Sequence, residues 1–174
     1  MSLYFVAIEP QPELSAEIRL IQKDFAERFN SKKALRNFPH ITIIPPFKFD
    51  EDNESEVTGK FLKIDLATSK FTIQLKGFST FHNPRNPVIF IKPEVSAELQ
   101  ELHNTMTKAM PFNYIENFNP HITVAYRDLT SENFEKAWPE YNGKNFERIF
   151  EADEVRLYKH FDQKWNLLAT RKLL

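Results

Sequence analysis

The sequence predicts an α+β fold, internally duplicated into two lobes with mainly antiparallel sheets and a central cleft. Three observations predict it. The tetrapeptide Pro-His-Ile-Thr occurs at 39–42 and again at 120–123, its histidines 81 residues apart (121 − 40). At the same shift, Pro12-Glu13-Leu14-Ser15-Ala16-Glu17-Ile18 falls on Pro93-Glu94-Val95-Ser96-Ala97-Glu98-Leu99 without a gap. Strand-like and helix-like segments are mixed along the chain with turn signals between them, the order of an α+β protein. A period this long, present twice, fits a duplicated lobe and not a solenoid unit. An approximate twofold axis between such lobes would bring His40 and His121 face to face.

The elements follow in order. Residues 3–9 are apolar and read as a strand. Leu14, Ile18, Ile21, Phe25 and Phe29 recur at helical spacing, so 13–29 reads as an amphipathic helix entered through Pro12. Residues 40–44 read as a short strand stopped by Pro45-Pro46. Residues 50–68 begin acidic and become a helix carrying Val57, Phe61, Ile64 and Leu66. Phe71, Ile73 and Leu75 alternate with Thr72, Gln74 and Lys76, the pattern of a half-buried strand over 70–81. A turn-rich stretch from His82 to Pro87 leads to a strand at 88–92 and a second long helix at 94–110. The second His-x-Thr strand covers 121–126, and a helix capped by Thr130 or Ser131 covers 130–141. Residues 146–160 and 164–172 read as a closing hairpin across Asp162-Gln163. No linker divides the halves, so 1–174 is expected to be one domain of two pseudo-symmetric lobes.

Composition narrows the function. With 41% apolar and 27% charged residues, the chain has the make-up of a globular protein with a real core. Its three glycines are scattered, which excludes the clustered glycines of a phosphate-cradling loop. The absence of cysteine excludes disulfides, thiol catalysis and Cys-ligated zinc, and is consistent with a cytoplasmic protein. The opening residues carry no basic stretch before a long apolar run, so neither a signal peptide nor a membrane span is expected. A net charge of −1 argues against a charge-driven grip on duplex DNA and leaves room for a nucleotide or an RNA end. A monomer is expected.

The chemistry lies in the repeated motif. Alternate side chains of a strand share a face. His40 and Thr42, with Ile44, are expected on one face, and Ile41 and Ile43 behind. His121, Thr123, Ala125 and, one step further, Arg127 are expected on the matching face of the second strand. Two imidazoles can supply both a base and an acid near neutral pH. Two threonine hydroxyls can donate to phosphate oxygens, and Arg127 can add a charge-assisted contact. Two histidines without a third ligand do not make a zinc site, so no metal and no cofactor is expected.

The paired His-x-Thr motifs resemble those of the 2H phosphoesterase superfamily, the 2′–5′ RNA ligase and cyclic phosphodiesterase group. The resemblance extends over nearly the whole chain. It implies a two-lobed α+β fold with the site in the cleft, and metal-free action on 2′,3′-cyclic phosphates or 2′–5′ linkages. It implies that His40 and His121 are the acid–base pair, with His40 as proton donor and His121 as acceptor. It also implies that Thr42 and Thr123 bind the phosphate. Several ligase-like members carry Arg five residues after the second histidine. Here that position is Tyr126, with Arg127 one later, which departs from the ligase pattern. Phe47 falls where the resemblance implies a base-stacking residue.

Blander readings stand beside these. Thr42 and Thr123 are also ordinary strand formers. Phe47 also suits a core, and Arg127 a solvated surface. His82 suits an exposed turn or the cleft rim, and His103 and His160 suit structural or surface positions. The expected reaction is hydrolysis of a cyclic or 2′–5′ phosphodiester of a nucleotide or RNA end. The alternatives are 2′–5′ RNA ligation as the main reaction, or a nucleotide- or RNA-end-binding module with little turnover.

Overall fold

The computed structural model describes residues 1–81, 83–110 and 117–174. His82, expected in an exposed turn or at the cleft rim, lies outside them. Two four-stranded antiparallel sheets are built from β1 (Ser2–Ile8), β2 (Ile41–Phe49), β3 (Phe71–Phe81), β4 (Val88–Pro93), β5 (Ile122–Ala125), β6 (Glu147–Ala152), β7 (Glu154–Phe161) and β8 (Lys164–Lys172). One sheet has the order β2-β1-β7-β8 and the other β5-β4-β3-β6. The two orders correspond strand for strand, with each His-x-Thr segment on an edge strand. This is the expected α+β, two-lobed architecture. Among the described residues, no helix is long and apolar enough to cross a membrane.

The helices are α1 (Pro12–Arg28), α2 (Glu54–Lys63), α3 (Ala97–Ala109) and α4 (Ser131–Asn142). Pro12 opens α1, where its missing N–H costs nothing. The Ser96 hydroxyl accepts from Leu99 N at 3.1 Å and caps α3, and the Thr130 hydroxyl accepts from Asn133 N at 3.2 Å and caps α4. α1 packs against β5 and α3 against β2, so each long helix lies on the other lobe's histidine strand. Their buried stripes, Ile18, Gln22, Phe25 and Ala26 on α1 and Leu99, Leu102, His103 and Met106 on α3, join a core that includes both sheets.

The structure departs from the sequence reading at three points. β2 does not stop at Pro45-Pro46 but runs on to Phe49. It is an edge strand, and Tyr4 and Val6 of β1 pair with Phe47 and Ile44, so Phe5 faces two prolines across a bulge. Residues 146–160 are not one arm of a hairpin. The chain changes sheets at Asp153, whose carbonyl accepts from Leu173 N at 2.8 Å. β7 and β8 then form the expected hairpin, with Asp162 and Gln163 both at positive φ (49° and 60°), a turn that matches strand twist.

The third departure moves the site. Val6 pairs with Ile44 but Ala7 pairs with Thr42, leaving Ile43 as an extra residue. In the other lobe Ile89 pairs with Ala125 but Phe90 with Thr123, leaving Val124 extra. Both lobes therefore carry a bulge one residue after the threonine. Beyond it the alternation reverses, and Ile44 and Ala125, expected beside the histidines, are fully buried in the core.

Candidate active site

Each histidine precedes its strand and is held in the same way. His40 Nδ1 donates to the Phe38 carbonyl at 2.7 Å, and His121 Nδ1 donates to the Asn119 carbonyl at 2.8 Å. A carbonyl only accepts, so both Nδ1 atoms carry the proton and both Nε2 atoms are left for other partners. The bond spans the intervening Pro39 or Pro120, whose fixed φ limits where the carbonyl can lie. The repeated Pro-His is thus a device for fixing a tautomer and a ring orientation.

Aromatic rings pack around each imidazole. His40 lies 5.1 Å from Phe5 and 5.1 Å from Phe38, and His121 lies 4.9 Å from Phe81 and 5.4 Å from Phe90 between ring centroids. Phe5 turns away from the main core because Tyr4, Val6 and Ile8 occupy that side of β1. It packs instead with Tyr158 and Trp165. Burial among these groups pushes His40 down to about 4, opposed by its bond to Phe38 and reinforced by the charge of His121. Burial also lowers His121, opposed by its bond to Asn119.

His40, Thr42, His121 and Thr123 line one pocket of about 110 Å³. The two motifs, 81 residues apart in the chain, therefore meet across the lobe boundary. Tyr126, Asn37 and Gln22 complete much of the polar wall, with Phe38 beside His40. Asn37 Nδ2 donates to Tyr126 Oη at 2.9 Å, joining the lobes at this wall. The segment bearing Asn37 is fixed from both sides. Arg19 donates to the carbonyls of Asn37 and Leu35 at 3.0 and 3.1 Å. Asp128 accepts from Ser31 Oγ, Lys32 N and Lys33 N at 2.9, 2.8 and 2.9 Å. Among the described residues, no carboxylate lines the pocket. Larger grooves of about 770 and 430 Å³ flank α1 and contain neither motif histidine.

Two expected site residues lie elsewhere. Arg127 was placed on the catalytic face by counting in twos from His121, and the bulge at Val124 breaks that count. β5 ends at Ala125, and Arg127 is exposed at φ 63° with its guanidinium over the Tyr126 ring. Tyr126 takes the pocket position in its place. Phe47 is 3% exposed and stacks on Tyr4 in the core, so it has no face free for a base. His103, read as structural, is buried on α3, and its Nδ1 donates to the Ile43 carbonyl at 2.9 Å.

The sequence reading missed Gln22, Asn37 and Tyr126. Gln22 was the most visible of them, a polar residue between Ile18 and Phe25 on the apolar stripe of α1.

The family model of the 2′–5′ RNA ligase superfamily matches residues 10–164. The chain belongs to that superfamily. The chain is similar to a protein of Oceanobacillus iheyensis named "Putative phosphoesterase". It is 27% identical over 169 residues, covering 96% of this chain and 95% of that protein. A Geobacillus thermodenitrificans relative of the same name is 31% identical over 155 residues, covering 85% and 87%. Among solved structures, E. coli LigT complexed with 3′-AMP aligns with a TM-score of 0.65 at 18% identity, covering 99% of this chain and 98% of LigT. TT0787 of Thermus thermophilus aligns with a TM-score of 0.66 at 16% identity, covering 99% and 98%. At these identities the structural likeness establishes the shared two-lobed fold.

Proposed function

We propose that this protein hydrolyses a 2′,3′-cyclic or 2′–5′ phosphodiester of a nucleotide or RNA end, using His40 and His121 as an acid–base pair. One observation supports this above others: two imidazoles with the same fixed tautomer, and two threonine hydroxyls, line one phosphate-sized pocket. At about 110 Å³ the pocket is well below the ~300–1,000 Å³ of sites that enclose a whole small molecule. It suits a phosphoryl group, with sugar and base outside. LigT, which shares the fold, has been solved with 3′-AMP, NADP+, ATP and phosphate.

The surroundings of the two histidines suggest their roles. His40 is the more strongly depressed, so at mild pH it is the neutral partner and fits the base. His121 then fits the acid. This reverses the roles implied by the family resemblance, and it follows from the deeper burial of His40. An anionic phosphodiester in the pocket favours the charged form of each imidazole and so supplies the acid when substrate binds. The base takes a proton from water as its oxygen attacks phosphorus, and the acid protonates the departing sugar oxygen. Thr42 and Thr123 donate to the non-bridging oxygens, where charge must be held. None of these steps calls on a metal.

A substrate panel in EDTA tests the proposal: 2′,3′-cyclic nucleotides, 2′–5′ dinucleotides and 3′–5′ dinucleotides, with product isomers resolved by chromatography. Turnover of cyclic or 2′–5′ substrates, with 3′–5′ links spared, is expected. Binding of all three without turnover, or turnover only with added metal, would refute it.

A further inference from the structure

Gln22 and His103 hold equivalent positions on α1 and α3, 81 residues apart (103 − 22). Each crosses to the other lobe's histidine strand and donates to a backbone carbonyl. Gln22 Nε2 bonds Thr123 O at 3.1 Å, and His103 Nδ1 bonds Ile43 O at 2.9 Å. Two different residue types make the same tether, so the tether requires only a donor. The remainder of each side chain differs. The His103 ring stacks on Phe118 at 4.0 Å and 6°. Gln22 lines the His/Thr pocket, is 2% exposed, and its Oε1 is buried without a hydrogen-bond partner. The amide cannot be turned over, since that would set oxygen against the Thr123 carbonyl.

An unpaired buried acceptor is costly and uncommon. The kind of group that can satisfy it is restricted. Non-bridging phosphate oxygens are themselves acceptors, and a hydroxyl or water is a donor. We propose that Gln22 Oε1 seats the nucleophilic water beside the phosphorus and so favours hydrolysis over attack by an alcohol. This assignment rests on the phosphodiester reading above. In hydrolysis one water hydrogen is held by Oε1 and stays on oxygen. The other leaves as a proton to Nε2 of the neutral histidine while the new P–O bond forms. The P–O bond to the leaving sugar oxygen breaks, and that oxygen takes the proton from Nε2 of the charged histidine. One water is consumed, and a phosphomonoester and a free hydroxyl result.

The test uses Gln22→Met, which keeps length and removes both polar atoms, and Gln22→His, which keeps a donor for Thr123 as His103 does for Ile43. Each is assayed for kcat, KM and thermal unfolding on a 2′,3′-cyclic nucleotide, in water and in water–methanol mixtures. Methanol has a single O–H, which goes to the base and leaves none for Oε1. The wild-type protein should therefore prefer water over methanol beyond their molar ratio. Gln22→Met should lose that preference, with kcat down about tenfold and KM near wild type, while Gln22→His, whose donor restores the bond to Thr123, should recover thermal stability. A lower kcat with an unchanged methyl-ester fraction would make Gln22 a tether only and overturn the assignment, as would wild-type kcat and partition. Absence of turnover by the wild-type protein on every cyclic and 2′–5′ substrate overturns the underlying reading, and the assignment with it.

Discussion

Burial of His40 couples the site to the stability of the fold, and the size of the coupling follows from its environment. Its ordinary value is 6.5, and in the folded protein it is pushed down to about 4. The unfolded chain therefore binds a proton that the folded one refuses between those pH values, and stability falls as pH drops from 6.5 towards 4. At about 1.36 kcal/mol per pKa unit, the full loss is at most about 3 kcal/mol, with roughly 2 kcal/mol lost by pH 5. The informative perturbation is His40→Asn, whose side-chain amide can still donate to the Phe38 carbonyl but does not titrate. Urea unfolding of both proteins from pH 7.5 to 4 isolates the term, because carboxylate contributions are common to both. The stability of the variant relative to wild type should rise by about 2 kcal/mol on going from pH 7.5 to 5, roughly 1 M in urea midpoint for a protein of this size. A difference that stays flat with pH would refute the claim that His40 is held neutral by burial.

Three further outcomes are expected. Both site histidines are lowered in the free protein, so kcat/KM should follow a bell with its maximum on the acid side of pH 6.5. A pH–rate series showing one inflection, or an optimum above pH 8, would contradict this. Arg127→Ala should leave kcat/KM within twofold of wild type, because the side chain is exposed and off the pocket wall; a tenfold loss in steady-state kinetics would restore it to the site. Phe47→Ala should cost about 3–5 kcal/mol in chemical denaturation, as the removal of a large core ring does, whereas a stably folded variant with a raised KM would mark Phe47 as a substrate contact.

The parts of this site that were legible in the sequence are those governed by local periodicity. Alternation along each His-x-Thr segment put Ile41, Ile43, Ile122 and Val124 in the core, and it put the histidines and threonines on the other side. The α1 stripe and the Asp162-Gln163 hairpin were equally local. The errors arose where pairing with another strand overrides the count. The bulges at Ile43 and Val124 exist only in register with β1 and β4, and they bury Ala125 and exclude Arg127. Pro45-Pro46 reads as a stop until β2 is known to lie at a sheet edge, where a missing N–H is tolerated. Asn37 and Gln22 reach the pocket through contacts with Tyr126 and Thr123 that are 89 and 101 residues away in the chain, and no spacing rule connects them. Gln22 alone left a mark, as a polar residue on an apolar stripe.

The central claim is that His40 and His121 act as one unit on a single phosphorus. Turnover of a 2′,3′-cyclic nucleotide in EDTA by the wild-type protein, His40→Ala, His121→Ala and the double variant tests it most directly. Each single substitution should lower kcat by about 10²–10⁴-fold. The double variant should be no more than about tenfold worse than the poorer single one, because removing either half already disables the pair. Near-wild-type turnover in either single variant, or losses that multiply in the double, would contradict the account.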